Sequence, residues 1–450
     1  MQRPAAILAT FLTVVFLPIA IFAQTYSFEF DPGTRAGIME PGGFEVSLGG
    51  GMLENTGTNN DTYHISLDIS LLPAGWDANF CAGSMCYPTE ADIDVVSGRD
   101  SEVSVHVYPV GDGAAMLTLI VGSSHAGRAD TVHYWASKNP TMVVVCDAEP
   151  ELTVWFTNAL GNLSESWGVI MRSEGDLSGE DLGDYNEVIW FTGADYTSVF
   201  TETDTVAIGE YLDNCGKFML SSQGAASFCD DAGWTAFLSN RLKANWEGDD
   251  SSLTSIYGVP ITVFDGILAS FGCAGGPGSF DRPSMLAVSG GSVPVFQYEA
   301  VGSPIGGVGY YSESGYKLLY FGFPWEAISV EDTRDSVMAK SLEYLRGAGG
   351  IEDREALKPI GINVDAYPNP FNASANIEFE ISKPGDCDLS IYDFTGLMIT
   401  EIAFSELAAG RYSVVWSGKK SDGSIVPAGM YFARLRQNDS TTSTKLLFIK

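Results

Sequence analysis

The chain of 450 residues holds four histidines, His64, His106, His125 and His133, and all four precede Tyr134. From Tyr134 to Lys450 there is no imidazole, so that stretch cannot run a Ser–His or Cys–His relay of its own. Chemistry there would fall to carboxylates and hydroxyls. Asp147, Glu149, Asp195 and Glu326 each follow an apolar run of the kind that forms a buried strand. Carboxylates at the carboxyl ends of parallel strands can share one cleft, and a pair can do acid–base work on a glycoside. Thr192, Ser222 and Gln223 stand at comparable strand ends and complete the candidate cleft. Ser221 or Ser222 as a nucleophile would need a lysine or carboxylate base, and the plainer account is small residues at a tight turn. Charged strand ends are also ordinary solvated loop starts. The four histidines read as surface or strand positions without chemistry.

The sequence has no CxxC pair and no HExxH, so a zinc set is not expected, and no cofactor is expected. NTGTNND, CDDAG and EGDD are oxygen-rich but lack calcium-loop spacing and read as solvated turns. GCAGGPG, from Gly272 to Gly278, has no GK[ST] and reads as a loop. There are seven cysteines. Cys81 and Cys86 enclose a short loop and are expected to form a disulfide; reduced, buried thiols are the alternative. A Cys229–Cys273 disulfide is a second candidate. Cys146 and Cys215 read as core positions at strand ends, and Cys387 is left alone.

These residues need strands and turns to hold them. From Thr25 to about Ser137, TYHISLDISL, SEVSVHVYPV and AAMLTLIVGSS alternate as strands, which predicts a β-sandwich of the Ig-like kind. From Asn139 the runs become continuously apolar: TMVVVCDAEPE, NEVIWFTGAD, GKFMLSSQGA and YKLLYFGFPWEA. Helix-like stretches lie between them: TETDTVAIGEYLDN, AGWTAFLSNRLKAN and DTRDSVMAKSLEYLRG. That alternation predicts an open parallel α/β sheet. After the linker GAGGIEDREALKPIG, β patterning returns. The expected divisions are a signal peptide at 1–23, a sandwich at 24–137, the α/β unit at 138–347, a linker at 348–361 and a second sandwich at 362–450.

The first 23 residues carry Arg3, an apolar run and a small residue before Gln24, as a cleaved secretory signal does; an uncleaved anchor is the alternative. The mature chain is expected to be extracytoplasmic, without a further membrane span. With 57 acidic against 24 basic residues the formal net charge is −33, which excludes a nucleic-acid ligand and an anionic membrane surface.

The last unit carries the most specific pattern. YPNPFN, with Tyr367, Pro368, Asn369 and Pro370, opens it; LSIYDFTG and LAAGRYSVVWSGKKSDGSIVPAGMYFARL follow, and KLLFIK ends it at Lys450. This order resembles the C-terminal sorting domain of the type IX (Por) secretion system and the related Ig-like domain of flagellar hook-cap proteins. The resemblance implies an exported, cell-surface protein whose partner is the type IX-like secretion machinery. Read physically, the two prolines hold an extended edge strand, because they lack N–H donors.

The middle unit resembles the class I glutamine amidotransferase-like fold, a flavodoxin-like arrangement. That family's nucleophilic Cys stands on a sharp strand-to-helix turn, and a later strand supplies His followed two residues on by Glu. LSSQGA places Gln223 at the nucleophile's position, and FGFPWE places Pro324 where the His would stand, leaving only Glu326. A carboxamide does not attack an acyl group and proline is no base. The expectation is a non-catalytic binding or structural protein at the cell surface, with a glycan or protein ligand. The alternative is a carboxylate-dependent hydrolase acting on saccharide or peptide in the same cleft.

Overall fold

The computed structural model describes residues 25–259, 262–271, 280–299, 304–312, 315–347, 363–381, 384–393, 397–408, 410–420, 423–437 and 440–449. The segments expected as signal peptide (1–23) and linker (348–361), with Cys273, the Gly272–Gly278 stretch and Lys450, lie outside the described residues. The molecule is multidomain and β-rich, with several sheets and few helices.

The front of the chain folds into two five-stranded sheets. Strand Asp100–Tyr108 is the middle of the first, between Val46–Glu54 and Asp77–Ala82. Gly113–Ser123 is the middle of the second, between Asp61–Asp68 and Ala129–Lys138. Alternation aims every second side chain inward. Leu48, Val103 and Val105 of one sheet thereby meet Tyr63, Ile65, Leu117 and Leu119 of the other in one core. Cys81 and Cys86 face each other across a hairpin and form a disulfide.

The central elements, in chain order, are β1 (Met142–Cys146), α1 (Thr153–Asn162), β2 (Trp167–Met171), β3 (Glu187–Phe191) and α2 (Glu202–Asp213). They continue with β4 (Lys217–Ser221), α3 (Ala225–Asp231), β5 (Ile305–Tyr311), β6 (Lys317–Phe321) and α4 (Glu331–Arg346). Strands run in the order β2-β1-β3-β4-β6, all parallel. Both faces of these strands are covered, which is why they are apolar throughout. Val144, Ile189, Met219 and Leu319 pack against α1 and α4 on one face. Val145, Trp190, Leu220 and Tyr320 pack against α2 and α3 on the other.

The sheet departs from the expected all-parallel arrangement at one edge. β5 joins β6 antiparallel, and further antiparallel strands extend that edge, among them Val293–Tyr298 and Ser255–Gly258. AGWTAFLSNRLKAN, expected as one helix, is a short helix, Thr235–Asn240, followed by strand Ala244–Asp249.

The first sandwich and the central sheet are joined through Arg35. Its guanidinium meets Glu151 at 2.9 Å, and its backbone N–H donates to Glu174 at 2.8 Å. The next residues, Ala36–Ile38, form a strand parallel to Ala129–Lys138. Ala36 and Trp135 belong to the apolar core of the central unit.

The final stretch forms a three-stranded and a four-stranded antiparallel sheet around one core. Strand Asn363–Tyr367 is an edge, as predicted, but it stops before Pro368. The prolines therefore end that strand rather than hold it. Asn369 binds the last strand instead, donating to the Lys445 carbonyl at 2.6 Å and accepting from the Leu447 N–H at 2.8 Å.

Candidate functional site

Parallel pairing sets the geometry of the central strand ends. Cys146, Phe191, Ser221 and Phe321 are consecutive partners across β1, β3, β4 and β6. Asp147, Thr192, Ser222 and Gly322 therefore follow on one line beyond the carboxyl edge of the sheet. β1 has β2 on one side and β3 on the other, so the strand order reverses there, the place where open α/β sheets take ligands.

At that reversal Asp147 is half-buried and accepts from the Trp190 indole at 3.3 Å. Burial, with the nearby Asp204 carboxylate, pushes its carboxyl up to about 6. Arg172, at the end of β2, opposes this rise. Arg172 reaches the buried Asp204 through Nη2 at 3.1 Å and lies in charge contact with it through Nε at 2.8 Å. Asp204 also accepts from the Thr201 N–H at 2.7 Å, closing the capping box that starts α2. Asp195 caps its own turn, accepting from the Thr197 and Ser198 N–H groups. Burial raises its pKa, but these hydrogen bonds outweigh that and hold it below the usual carboxylate range. Glu149 is exposed at the rim. A side chain at Gly193, with φ +54, would meet Ala148, Leu152 and Glu149.

The β4-to-α3 turn is closed. Thr192 Oγ1 donates to Ser222 Oγ at 2.6 Å, and Ser222 Oγ accepts the Ala225 N–H at 3.0 Å, so this hydroxyl starts α3. Gln223 is fully buried. Its Nε2 donates to the Gly193 carbonyl at 3.4 Å, and its Oε1 accepts from the Asp281 and Arg282 N–H groups at 3.3 Å. Its carbonyl takes the Ser284 hydroxyl at 2.8 Å. The segment 280–284 is thereby laid over the turn, and Arg282 stacks on Tyr196 at 4.4 Å.

Glu326 follows β6 and is wholly buried beneath the turn. Ser221 Oγ donates to Glu326 Oε2 at 3.4 Å and accepts from the Trp325 N–H at 2.8 Å. Glu326 Oε1 has no hydrogen-bond partner among the described residues. Burial pushes the Glu326 carboxyl up to about 7. The predicted cleft residues thus divide into a partly open group, Asp147, Glu149 and Asp195, and a sealed group, Thr192, Ser222, Gln223 and Glu326.

Arg172 and Asp204 do not stand out in the sequence. Thr201-x-x-Asp204 is a legible capping box, but nothing in the sequence pairs Asp204 with Arg172. Cys229 is buried on α3 among Ala225, Leu238 and Tyr320, and Cys273, its expected disulfide partner, lies outside the described residues. Cys215 is an exposed residue with φ 68 in the turn after α2, not a core position.

Residues 365–450 match the secretion system C-terminal sorting domain, and this part of the chain is such a domain. The protein is accordingly a secreted or cell-surface protein, marked for export by the type IX machinery. No helix among the described residues is long and apolar enough to cross a membrane. No curated protein matches the chain. Among solved structures, a putative GMP synthase component from Thermoplasma acidophilum is 12% identical, with 49% of this chain and 98% of that one covered and a TM-score of 0.32. FlgD from P. aeruginosa is 25% identical over 16% of this chain and 57% of its own, with a TM-score of 0.14. PorZ, an essential surface component of the type-IX secretion system of Porphyromonas gingivalis, is 20% identical over 20% of this chain and 12% of its own, with a TM-score of 0.15. The chain thus spans less than two thirds of FlgD and of PorZ.

Proposed function

We propose that this is a type IX-exported surface protein whose central unit binds a ligand without transforming it. Its units are two Ig-like sandwiches, at 24–137 and 362–450, flanking a flavodoxin-like, amidotransferase-related sheet at 138–347. The strand order β2-β1-β3-β4-β6 supports the flavodoxin-like reading. The observation that carries the function is Gln223, which occupies the nucleophile's turn fully buried and hydrogen-bonded through both ends of its carboxamide. Asp147, Glu149 and Asp195 stay at least partly exposed at the carboxyl edge of the sheet, and their carboxylates are acceptors suited to the hydroxyl donors of a surface saccharide.

Retention on cell-wall glycan preparations is the test. Retention that falls at least tenfold in Asp147→Asn supports the reading. Turnover of glycoside or peptide substrates that disappears in Glu326→Gln overturns it. For sorting, a chain ending at Leu357 is expected to lose surface delivery, and unchanged delivery would remove that role.

One observation favours a carboxylate hydrolase as second reading. Asp147 and Glu326 are both pushed toward neutrality, to about 6 and about 7, where a general acid works. Against it, Glu326 is sealed from solvent.

A further inference from the structure

The outer face of the first sheet carries a relay that the central unit lacks. Ser104 and His106 stand two apart on Asp100–Tyr108, the middle strand, and so share a face. Ser104 Oγ lies 2.9 Å from His106 Nε2, and His106 Nδ1 lies 2.5 Å from Glu45 Oε1. In the neutral ring, a hydrogen on Nδ1 facing the Glu45 carboxyl leaves Nε2 as an acceptor. Ser104 therefore donates its proton toward Nε2. This is the polarity of nucleophile, base and orienting acid. Glu45 and His106 keep 26% and 21% of their side-chain surface exposed, so the pair is largely shielded while remaining reachable.

The neighbours leave Ser104 open. Its partners on the flanking strands are Gly49 and Cys81. Gly49, at φ +87, puts no side chain beside the hydroxyl. Cys81 is bound in its disulfide, so no thiol competes for an electrophile. Asn79 pairs with His106 and is diagonal to Ser104. Among the described residues its Nδ2 donates to Tyr108 Oη at 3.5 Å, a long contact that an amide donor can exchange for a developing oxyanion on the same face.

We propose that Ser104, His106 and Glu45 form an acyl-transfer site for short O-acyl esters, such as acetyl esters on an extended chain laid across the sheet. An open sheet face gives a long acyl group nothing to bury it, hence the short one. Ser104 Oγ attacks the ester carbonyl as its proton passes to His106 Nε2. The bond to the alcohol breaks, and the alcohol oxygen leaves with that proton. Water then attacks the acyl-serine, giving a proton to Nε2. Ser104 recovers that proton as the carboxylic acid is released. Glu45 holds its state throughout and is a positioning residue. The site is independent of the ligand-binding reading of the central unit.

The test is labelling of the full chain with a fluorophosphonate reagent, with p-nitrophenyl acetate as turnover probe. The label is expected on Ser104 by peptide mass spectrometry and absent in Ser104→Ala. His106→Gln is expected to slow labelling by about a hundredfold, the low end of general-base catalysis. Glu45→Gln is expected to slow it about tenfold, with Glu45→Asp restoring most of the rate, which a merely structural role would not do. Glu326→Gln should leave labelling unchanged, separating this site from the central cleft. Melting curves check that each variant is folded. Absence of label on Ser104, or equal labelling in a folded His106→Gln, overturns the proposal.

Discussion

At the scale of single residues, the two raised carboxyls give the molecule an acid-leaning stability. Burial lifts Glu326 to about 7 and Asp147 to about 6, both above their unfolded values. The native state therefore holds these protons longer than the unfolded chain does. Their contribution is complete below about pH 4, and is lost as pH rises through about 6 and 7. For Glu326 the swing is roughly 3 kcal/mol. Glu326→Gln, isosteric and uncharged, is expected to remove about half of the fall in melting temperature that these two carboxyls cause between about pH 4 and 7, the Asp147 swing being of similar size; a thermal-denaturation series against pH checks it. The departures from amidotransferase chemistry, Gln223 and Pro324, were legible residue by residue. The burial of Glu326 was not, because Ser221 and Trp325, which enclose it, come from distant parts of the chain or look like plain strand-end residues.

At the scale of elements, the β4-to-α3 turn works as a latch on segment 280–284. Gln223→Ala removes the amide that holds the Asp281 and Arg282 N–H groups, at an expected cost of about 1–3 kcal/mol. Gly224→Ala is expected to cost more, about 2–4 kcal/mol, because its Cβ would fall 2.1 Å from the Asp195 carbonyl oxygen. Urea denaturation ranks the two, and hydrogen exchange should show 280–284 opening first in Gln223→Ala. The parallel strands were readable because both faces are buried, which leaves continuous apolar runs such as MVVVC and EVIWF. The antiparallel extension was not. Strands such as Ser255–Gly258 and Leu268–Ser270 are three or four residues long, too short for a period to show.

At the scale of the whole molecule, charge and cohesion are unevenly spread. Residues 365–450 carry ten acidic and eight basic side chains, so nearly all of the net −33 lies on the front two units. Those two units share a core through Ala36 and Trp135 and are clamped by Arg35. They are expected to melt together, whereas Arg35→Ala should split the transition in calorimetry and cost about 1–3 kcal/mol, the Glu151 end being exposed. The change of pattern near Lys138, from strand alternation to continuous apolar runs, is legible in the sequence. No such pattern reveals that Ala36–Ile38, a hundred residues earlier, belongs to the same seam.

That short strand also sets an order of events during synthesis. Arg35 to Ile38 leave the ribosome early, yet their partners, Ala129–Lys138 and Glu151 to Glu174, emerge about a hundred residues later. The front sandwich cannot complete its second sheet until its last strand, Ala129–Lys138, has appeared, and Arg35 waits longer still for Glu151 and Glu174. At about 5–20 residues per second, that leaves the strand unpaired for several seconds. A holding chaperone or a slow export step has that interval in which to find the chain still open.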